Sequence, residues 1–365
     1  MADPPRSHRR DFLSGQAALD RLAAAAEAAL DGSPQPEPPD TYLVRIGRRA
    51  MACQFETLLN AGQYPHGTVA AMAALDLVEE LEAQLTVYRD SSEIMRINRE
   101  AAAVPVEVEP QLFGLLQQAV ELWRETAGAF DITSGPLSKV WGFYRRQGTL
   151  PSDSELAAAL ARVGSQRLEL DAARHSLQFN VPGMELNLGA IGKGYALDRA
   201  GQLLRQQGVE HFLLHGGQSS VLAGGVHGWR EAGDVPDHCW TVAVHDPMRP
   251  GHVLAEVRLR NKAIGTSGAG TQFFRHQGRR YGHILDPRDG WPATGTLSST
   301  VVAPTAAEAD ALATAFYILG PAPTADYCRR HPHIAALLTV GLPDADRVTL
   351  EAWNFADDEL SLADH

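Results

Sequence analysis

Cysteine is scarce, long apolar runs are missing, and positive charge is in the minority. Cys53, Cys239 and Cys328 lie far apart, with neither metal-binding spacing nor an even-numbered disulfide framework. Free thiols in a reducing compartment are therefore expected. No run of about 18 apolar residues occurs, which argues against a membrane-spanning helix. The formal net charge of -12 disfavours nucleic acid and anionic membranes as main partners.

The chain is long enough for a large core, with 365 residues of which 44% are hydrophobic. No internal repeat is present, and predicted strands and helices mix without strict alternation. This pattern favours a mixed α/β body of the α+β class over a doubly wound sheet. Residues 1–40 are interpreted as an N-terminal arm with a proline-rich linker, residues 41–355 as the folded domain, and residues 356–365 as a loose acidic tail.

The arm carries a twin-arginine-like sequence at Arg9 and Arg10. Asp20, Arg21 and Glu27 interrupt the apolar stretch that an export signal requires. We therefore expect a cytoplasmic protein, with export as the alternative.

Periodicity indicates the main elements of the domain. A helix is predicted over 68–86, with Met72 on its apolar stripe, and residues 263–270 are predicted to form a glycine-rich loop. Further helices are predicted over 110–126, 156–163, 195–206 and 307–319. Strands are predicted over 42–46, 51–59, 212–217, 240–245, 253–259, 300–303 and 335–340, and a hairpin over 168–179.

Three glycines, Gly189, Gly192 and Gly194, surround Lys193 where a strand-like stretch gives way to a helical one. Glycine lets backbone approach a ligand closely, and a helix N-terminus attracts anions. The stretch is not a Walker A loop, because Gly194 follows the lysine. Its interpretations are a cradle for a phosphorylated ligand or a tight turn with a surface lysine.

Two further segments carry candidate chemistry. Asp310 and Thr314 share one helical face, which suits Mg²⁺, although both side chains could equally serve the helix itself. Asp131 lies in a turn-rich segment, as a site residue or as the cap of a turn.

Seven segments in this order resemble the ApbE family of flavin transferases, over roughly Tyr42 to Ala352. They are 51–55, 128–137, 187–196, Gly216-Gly217, 266–268, 283–290 and 309–315. The resemblance implies a single ApbE-like catalytic domain of two packed lobes with a cleft between them. It also implies that FAD is the substrate, that Mg²⁺ is the cofactor, and that FMN passes to a threonine of an acceptor protein while AMP is released.

The resemblance also assigns roles to single positions. Metal binding falls to Asp310, Thr314 and the main-chain carbonyl of Ala190. FAD binding falls to Met51, Tyr88, Ala129, Phe130, Asp131, Asn187, Lys193 and Ile284. We expect His283 to be the general base that takes the threonine proton, the alternative being a histidine that only hydrogen-bonds a phosphate.

The sequence departs from the family pattern at several of these positions. Asn187 stands where the family normally has Asp, and Cys53 replaces a threonine. Gln218 stands where Asp or Asn is typical, and Ala269 stands where Asp is typical. Two other functions therefore stay open: an Mg²⁺-dependent FAD pyrophosphatase that releases FMN and AMP, and a non-catalytic FAD-binding protein.

Overall fold

The structure is a computed structural model that describes residues 42–228, 239–249, 251–268, 270, 272–341 and 348–363. The arm expected over 1–40, with its twin-arginine-like sequence, lies outside these residues. The described helices are Gly67–Leu85 (α1), Glu93–Glu100 (α2), Pro110–Glu125 (α3), Gly135–Val140 (α4), Asp153–Leu160 (α5), Gly192–Gln206 (α6), Ala306–Leu319 (α7) and Pro321–Arg330 (α8).

The described strands agree with most of the predicted ones. They are Leu43–Ala50 (β1), Cys53–Asn60 (β2), Val106–Glu107 (β3), Leu168–Asp171 (β4), Ser176–Phe179 (β5), Phe212–Gly216 (β6), Ser220–Gly224 (β7), Trp240–His245 (β8), Val253–Leu259 (β9), Ala263–Gly268 (β10), Phe273–His276 (β11), Arg279–Gly282 (β12), Thr296–Ala303 (β13), Ala335–Val340 (β14), Thr349–Trp353 (β15) and Leu360–Leu362 (β16).

An eight-stranded sheet organises the domain, in the order β1-β2-β6-β7-β10-β13-β14-β15, with every neighbouring pair antiparallel. Three smaller sheets accompany it: β16-β9-β8, β3-β5-β4 and β11-β12. Segregated helices and antiparallel strands define the α+β class. The predicted fold class is therefore confirmed.

Alternation along the central strands separates two cores, because successive side chains of a strand point to opposite faces. Phe212 and Leu214 join the cluster formed with the helices, whereas Leu213 joins the cluster formed with β8 and β9. Val301 and Val302 divide in the same way. The sheet is thus buried on both faces, and α6 and α7 lie on its helical side.

The first hairpin turns at Met51 and Ala52, so the strand predicted to begin at Met51 begins two residues later. Ala50 pairs with Cys53, and the two turn residues have φ of 48° and 60°. A two-residue hairpin loop of this kind needs positive φ at both positions, where Asn-Gly is usual. The prediction was wrong here because neither residue carries that turn signal.

The glycine-rich loop predicted over 263–270 is wrong for 263–268, which form the central strand β10 between β7 and β13. A Cβ atom on Gly265 would lie 2.5 Å from the main-chain carbon of Ala309 in α7. The glycine is therefore required by close packing of a helix on the strand rather than by a turn.

Two smaller expectations are also wrong. Met72 does not belong to the buried stripe of α1, since it is 48% exposed while Leu75 and Val78 are buried. The tail expected to be loose is ordered over Leu360–Leu362, which pair with β9, and Glu359 forms an ion pair with Lys262. Backbone pairing and this ion pair fix a segment whose acidic composition indicated only solvation.

From Leu43 onward the described residues belong to one unit, and the two packed lobes expected from the resemblance stay a prediction. Among these residues no helix is long and apolar enough to cross a membrane.

Candidate functional site

Asp310 is a buried carboxylate held by two hydrogen-bond donors and one ammonium group from α6 and β7. Its Oδ2 accepts the Gly194 N–H at 2.8 Å, and the Ser220 hydroxyl contacts Oδ1 at 2.7 Å and Oδ2 at 2.9 Å. The Lys193 Nζ lies 3.8 Å from Oδ2. Burial raises the pKa of the Asp310 carboxyl above its ordinary value, and Lys193 is the largest opposing influence. Because burial disfavours the charged carboxylate, a second cation bound beside it would also stabilise the ionised form.

The hydrogen bond from Gly194 satisfies an N–H group at the start of α6. Because α6 begins at Gly192, the N–H of residue 194 belongs to the first turn, where a helix offers no carbonyl of its own. Here it bonds Asp310, and no turn or loop hydrogen bond of the described residues ends on the Ala190 carbonyl. That carbonyl keeps its lone pairs for another partner, which fits an oxygen ligand for a hard cation.

Thr314 follows Asp310 by four residues on α7, as the sequence predicted. Its hydroxyl lies 2.9 Å from the Ser267 hydroxyl on β10. Carboxylate, hydroxyl and carbonyl oxygens are the donors that Mg²⁺ prefers. The residues proposed for Mg²⁺ therefore fit the ion in chemistry.

Lys193 is the charged group that influences several neighbours. Burial is the largest influence on three groups near it, raising the pKa of the Cys53 thiol and of the Asp310 carboxyl and lowering that of the His283 ring. Lys193 opposes the rise at Cys53 and Asp310 and adds to the fall at His283. The lysine at the N-terminus of α6 thus combines with the helix to make this region attractive to a phosphate.

His283 is held in one orientation by Gln272. The Gln272 carbonyl lies 3.0 Å from the ring Nδ1 and accepts the His283 main-chain N–H at 3.2 Å. Because a carbonyl can only accept, Nδ1 carries the proton and Nε2 keeps its lone pair. Burial lowers the pKa of the ring, so that the neutral, proton-accepting form prevails near pH 7.

In the segment before α4, the Asp131 carboxylate forms hydrogen bonds within the protein. Asp131 accepts from the main-chain N–H and hydroxyl of Thr133 and from those of Ser165, at 2.7 to 3.1 Å. Ala129 and Phe130 are buried in the main core. These side chains are occupied by the fold, which leaves main-chain groups of this segment for a ligand.

Asn187 sits beside that segment and shapes the glycine turn. Its N–H donates to the Ile132 carbonyl at 2.7 Å, and its Oδ1 accepts the Gly189 N–H at 3.0 Å. A carboxylate oxygen would accept the same bond. The replacement of Asp by Asn at this position therefore preserves the turn while removing one negative charge.

The remaining predicted residues lie at the periphery of this group. Tyr88 is 70% exposed and stacks on Tyr144, with ring centroids 4.9 Å apart. Met51 occupies the hairpin turn next to Cys53, and Ile284 is buried directly after His283. An ion pair joins Lys193 to Asp310, and the charge of Lys193 acts on His283, so these three residues share one neighbourhood. Among the described residues, no such contact joins Tyr88 or Asp131 to them.

Three contributors escaped the sequence reasoning. Ser220 and Ser267 place hydroxyls on Asp310 and Thr314, and an isolated serine gives no signal in a sequence. Asp198 accepts the first N–H groups of α7, from Ala306 at 2.8 Å and Ala307 at 2.9 Å. The sequence signal for Asp198 is its position four residues after Gly194, which places both residues on the same face of α6.

A surface cavity of about 430 Å³ between α1, α3 and α6 contains none of the predicted site residues. It is lined by Ala73, Asp76, Leu77, Glu80, Gln111, Arg199, Gln202, Leu203 and Gln206. The candidate site is thus defined by the chemistry around Asp310 and Lys193 rather than by this cavity.

Known proteins resemble this chain in sequence and in fold. The sequence profile of the ApbE family matches residues 51–338. An FAD:protein FMN transferase of Klebsiella pneumoniae (strain 342) is 34% identical over 259 residues, which cover 70% of this chain and 78% of that protein. The solved ApbE protein of Thermotoga maritima superposes with a TM-score of 0.74 at 26% identity, covering 85% of this chain and 96% of that one. The flavin transferase ApbE of Vibrio cholerae gives 0.72 at 26% identity, covering 86% and 97%.

Proposed function

The chain belongs to the ApbE family, and from that premise we propose that it transfers FMN from FAD to a threonine hydroxyl of an acceptor protein, with AMP as the other product. The protein is an enzyme of the transferase class. The observation that carries the proposal is the hydrogen bond from Gly194 to Asp310, because it joins the glycine turn at the start of α6 to the acidic face of α7.

Asp310, Thr314 and the Ala190 carbonyl are the residues that would hold Mg²⁺. The bound ion would supply charge neutralisation for the phosphate oxygens. Asp310 contributes the anionic ligand, and its bonds to Gly194 and Ser220 keep the carboxylate from rotating. The Ala190 carbonyl contributes an oxygen without a main-chain donor.

Lys193 binds the pyrophosphate of FAD in this proposal. Its ammonium group lies at the N-terminus of α6, where the helix dipole also attracts anions. Charge that develops on the departing AMP phosphate is stabilised by the same ammonium group. The main-chain groups of 129–131 and the exposed ring of Tyr88 contact the flavin nucleotide.

His283 acts as the general base. Its Nε2 lone pair accepts the proton of the threonine hydroxyl while the hydroxyl oxygen attacks the phosphorus of the FMN half. The carbonyl of Gln272 holds the opposite ring nitrogen and steadies the imidazolium that forms. The new bond joins threonine oxygen to phosphorus, the pyrophosphate bond breaks, and AMP departs.

We also propose a cytoplasmic location, which the free state of Cys53, Cys239 and Cys328 supports.

A product assay tests this function against its two alternatives. Purified protein is incubated with FAD and a threonine-containing acceptor, with and without Mg²⁺, and the nucleotides are separated by chromatography. AMP together with a covalently flavinylated acceptor is the expected result, and it requires Mg²⁺. Free FMN and AMP without labelled acceptor would establish the pyrophosphatase, and intact bound FAD would establish the non-catalytic binder.

Two variants make the assay specific for the site. Asp310→Asn removes the charge proposed to hold Mg²⁺, and we expect product formation to fall by at least 100-fold. Asp326→Asn removes an exposed acid that pairs with Arg329 on α8, and it should behave as the unmodified protein. Equal activity of both variants would remove Asp310 from the metal site.

A further inference from the structure

Ser299 on β13 carries a buried hydroxyl without a hydrogen-bond partner. Its side chain is fully buried, and no described residue forms a hydrogen bond with its Oγ. Folded proteins pair nearly all of their buried polar side-chain atoms, because a buried hydroxyl without a hydrogen bond costs free energy. Packing alone would be served better by alanine at this position, so the hydroxyl calls for another explanation.

The strand register places Ser299 on the side of the sheet that faces α7. Ser299 lies directly opposite Ser267 in the antiparallel pair of β10 and β13. Side chains of directly opposite residues project from the same face of a sheet. The Ser267 hydroxyl contacts that of Thr314 on α7, and Val301, two residues after Ser299, joins the core formed with the helices. The unpaired hydroxyl therefore lies next to the residue that holds Thr314.

Serines that face each other in this way are close enough to bond without movement of the backbone. Their Cβ atoms lie about 4.5 to 5.5 Å apart in a directly opposite pair. Rotation about one bond in each side chain brings the two oxygens into the range of O–H···O bonds, about 2.5 to 3.0 Å. Ser299 is thus able to accept a hydrogen bond from Ser267 by turning its side chain alone.

A cation on Thr314 would make that bond necessary. A hydroxyl has one proton and two lone pairs, and the bond between Ser267 and Thr314 can run in either direction. When the Thr314 oxygen gives a lone pair to a cation, its proton has to point away from the positive charge, which makes Ser267 the acceptor. The proton of Ser267 then needs an acceptor of its own. Ser299 faces it and has no other hydrogen bond among the described residues.

We propose that Ser299 is a positioning residue for the metal site, as the last member of a hydroxyl chain formed by Thr314, Ser267 and Ser299. The chain holds the Thr314 hydroxyl with a lone pair directed at Mg²⁺. Without a cation the chain has no fixed direction, and the buried Ser299 hydroxyl weakens the fold. This inference rests on the proposed function, because Thr314 is a metal ligand only in that proposal.

Ser299→Ala distinguishes this role from a purely structural one, because stability and metal binding should change in opposite directions. Deletion of a buried hydroxyl that has no partner raises stability, so the midpoint of urea unfolding without Mg²⁺ should rise. Calorimetric titration with MgCl₂ should give a dissociation constant about fivefold higher, which is the effect of losing one hydrogen bond. A side chain that only fills the core would leave the affinity for Mg²⁺ unchanged.

Ser298→Ala is the matched control at the neighbouring position. Ser298 points to the other face of β13, where its hydroxyl donates to the Thr339 hydroxyl at 3.0 Å. The substitution deprives the buried Thr339 of this bond, so the unfolding midpoint should fall while the affinity for Mg²⁺ stays the same. Equal affinity of the Ser299→Ala and Ser298→Ala variants for Mg²⁺ would overturn the proposal.

A double-mutant cycle tests the chain itself. Ser267→Ala removes the middle hydroxyl and should weaken Mg²⁺ binding by about fivefold or more. Because Ser299 acts only through Ser267, the addition of Ser299→Ala to that variant should cause no further loss of affinity. Additive losses in the double variant would refute the chain.

The hydroxyl chain and the transfer reaction can fail separately. Normal Mg²⁺ affinity of the Ser299→Ala variant, with FMN transfer by the unmodified protein, would refute the chain and leave the reaction. Mg²⁺ binding that depends on Ser299, without FMN transfer by the unmodified protein, would leave the chain and refute the reaction. Absence of Mg²⁺ binding by the unmodified protein would refute the metal site and the chain together.

Discussion

Gly194 is the position where the structure makes its most direct quantitative prediction. A Cβ atom built on it would lie 2.0 Å from the Ala306 carbonyl oxygen, 2.3 Å from that carbonyl carbon and 2.6 Å from the Ala307 nitrogen. All three atoms belong to the main chain, so no side-chain rotation can relieve the contact. Since ordinary contact begins near 3.4 Å, Gly194→Ala must separate α6 from α7 by about 1.4 Å.

Three terms set the change in stability, one favourable and two unfavourable. Alanine favours a helix over glycine by about 1 kcal/mol. Overpacking costs about 1 to 3 kcal/mol and more against rigid main chain. The separation also lengthens the hydrogen bond from the Gly194 N–H to Asp310, which costs about 1 kcal/mol or more because the acceptor is a buried carboxylate. We expect the free energy of unfolding to fall by about 2 kcal/mol or more.

Gly192→Ala is a matched control on the same helix. Its Cβ would find only Leu188 and Leu85 atoms at 3.8 Å, an ordinary contact distance. Thermal unfolding of both variants, followed by fluorescence, measures the stability, and calorimetric titration with Mg²⁺ measures the consequence for the site. Gly194→Ala should melt several degrees lower and bind Mg²⁺ more weakly. If the two variants melt together, the close contact between α6 and α7 is wrong.

Three further predictions concern the proposed base, the acid of α6 that accepts the first N–H groups of α7, and the first hairpin. His283→Asn should lower the rate of FMN transfer by about 10²- to 10⁴-fold. In the unmodified enzyme the rate should decline toward acid with a midpoint below 6.5, because burial lowers the pKa of the ring; a midpoint unaffected by the substitution would remove His283 as the base. Burial raises the pKa of Asp198 to about 6 from 3.8, so the folded state binds more protons than the unfolded state between these values. The free energy of unfolding should therefore decrease as pH rises from about 4 to about 6, by up to about 3 kcal/mol, and Asp198→Asn should flatten this slope in denaturant titrations; a slope of opposite sign would contradict the burial argument. Ala52→Gly should raise the free energy of unfolding by about 1 kcal/mol, since glycine adopts positive φ without the steric cost that alanine meets; a lower denaturation midpoint would show that the turn is not strained.

The hydrophobic pattern of the sequence was sufficient to predict most helices and strands, because burial determines which positions are apolar. Phe212, Leu213 and Leu214 form a short apolar run that predicts a buried strand, and the structure places them alternately in two cores. Gly265 was not readable, because a glycine demanded by a helix packing on a strand looks the same in a sequence as a glycine demanded by a turn. Met51 and Ala52 show the converse, a turn with no turn residues.

Some residues of the candidate site could likewise be predicted from the sequence, and others could not. Asp310 and Thr314 were predicted by helical spacing, and the structure places them on α7 as expected. Asp131 illustrates the limit, since an acid between turn residues is compatible with a ligand contact and with a cap, and its carboxylate contacts Thr133 and Ser165. Ser220 could not be found, because its role depends on the pairing of β7 with β10 at long sequence separation.

The short strand β16 has a consequence for handling the protein. It covers the outer edge of β9, whose sequence Val253–Leu259 is mostly apolar, and Arg258 and Lys262 hold the preceding acids in place. A product shortened before Leu360, by proteolysis or by cloning, would present that edge to solvent with open backbone donors and acceptors. Such edges template pairing between molecules. Loss of this short strand would thus turn a monodisperse preparation into one that aggregates through strand addition.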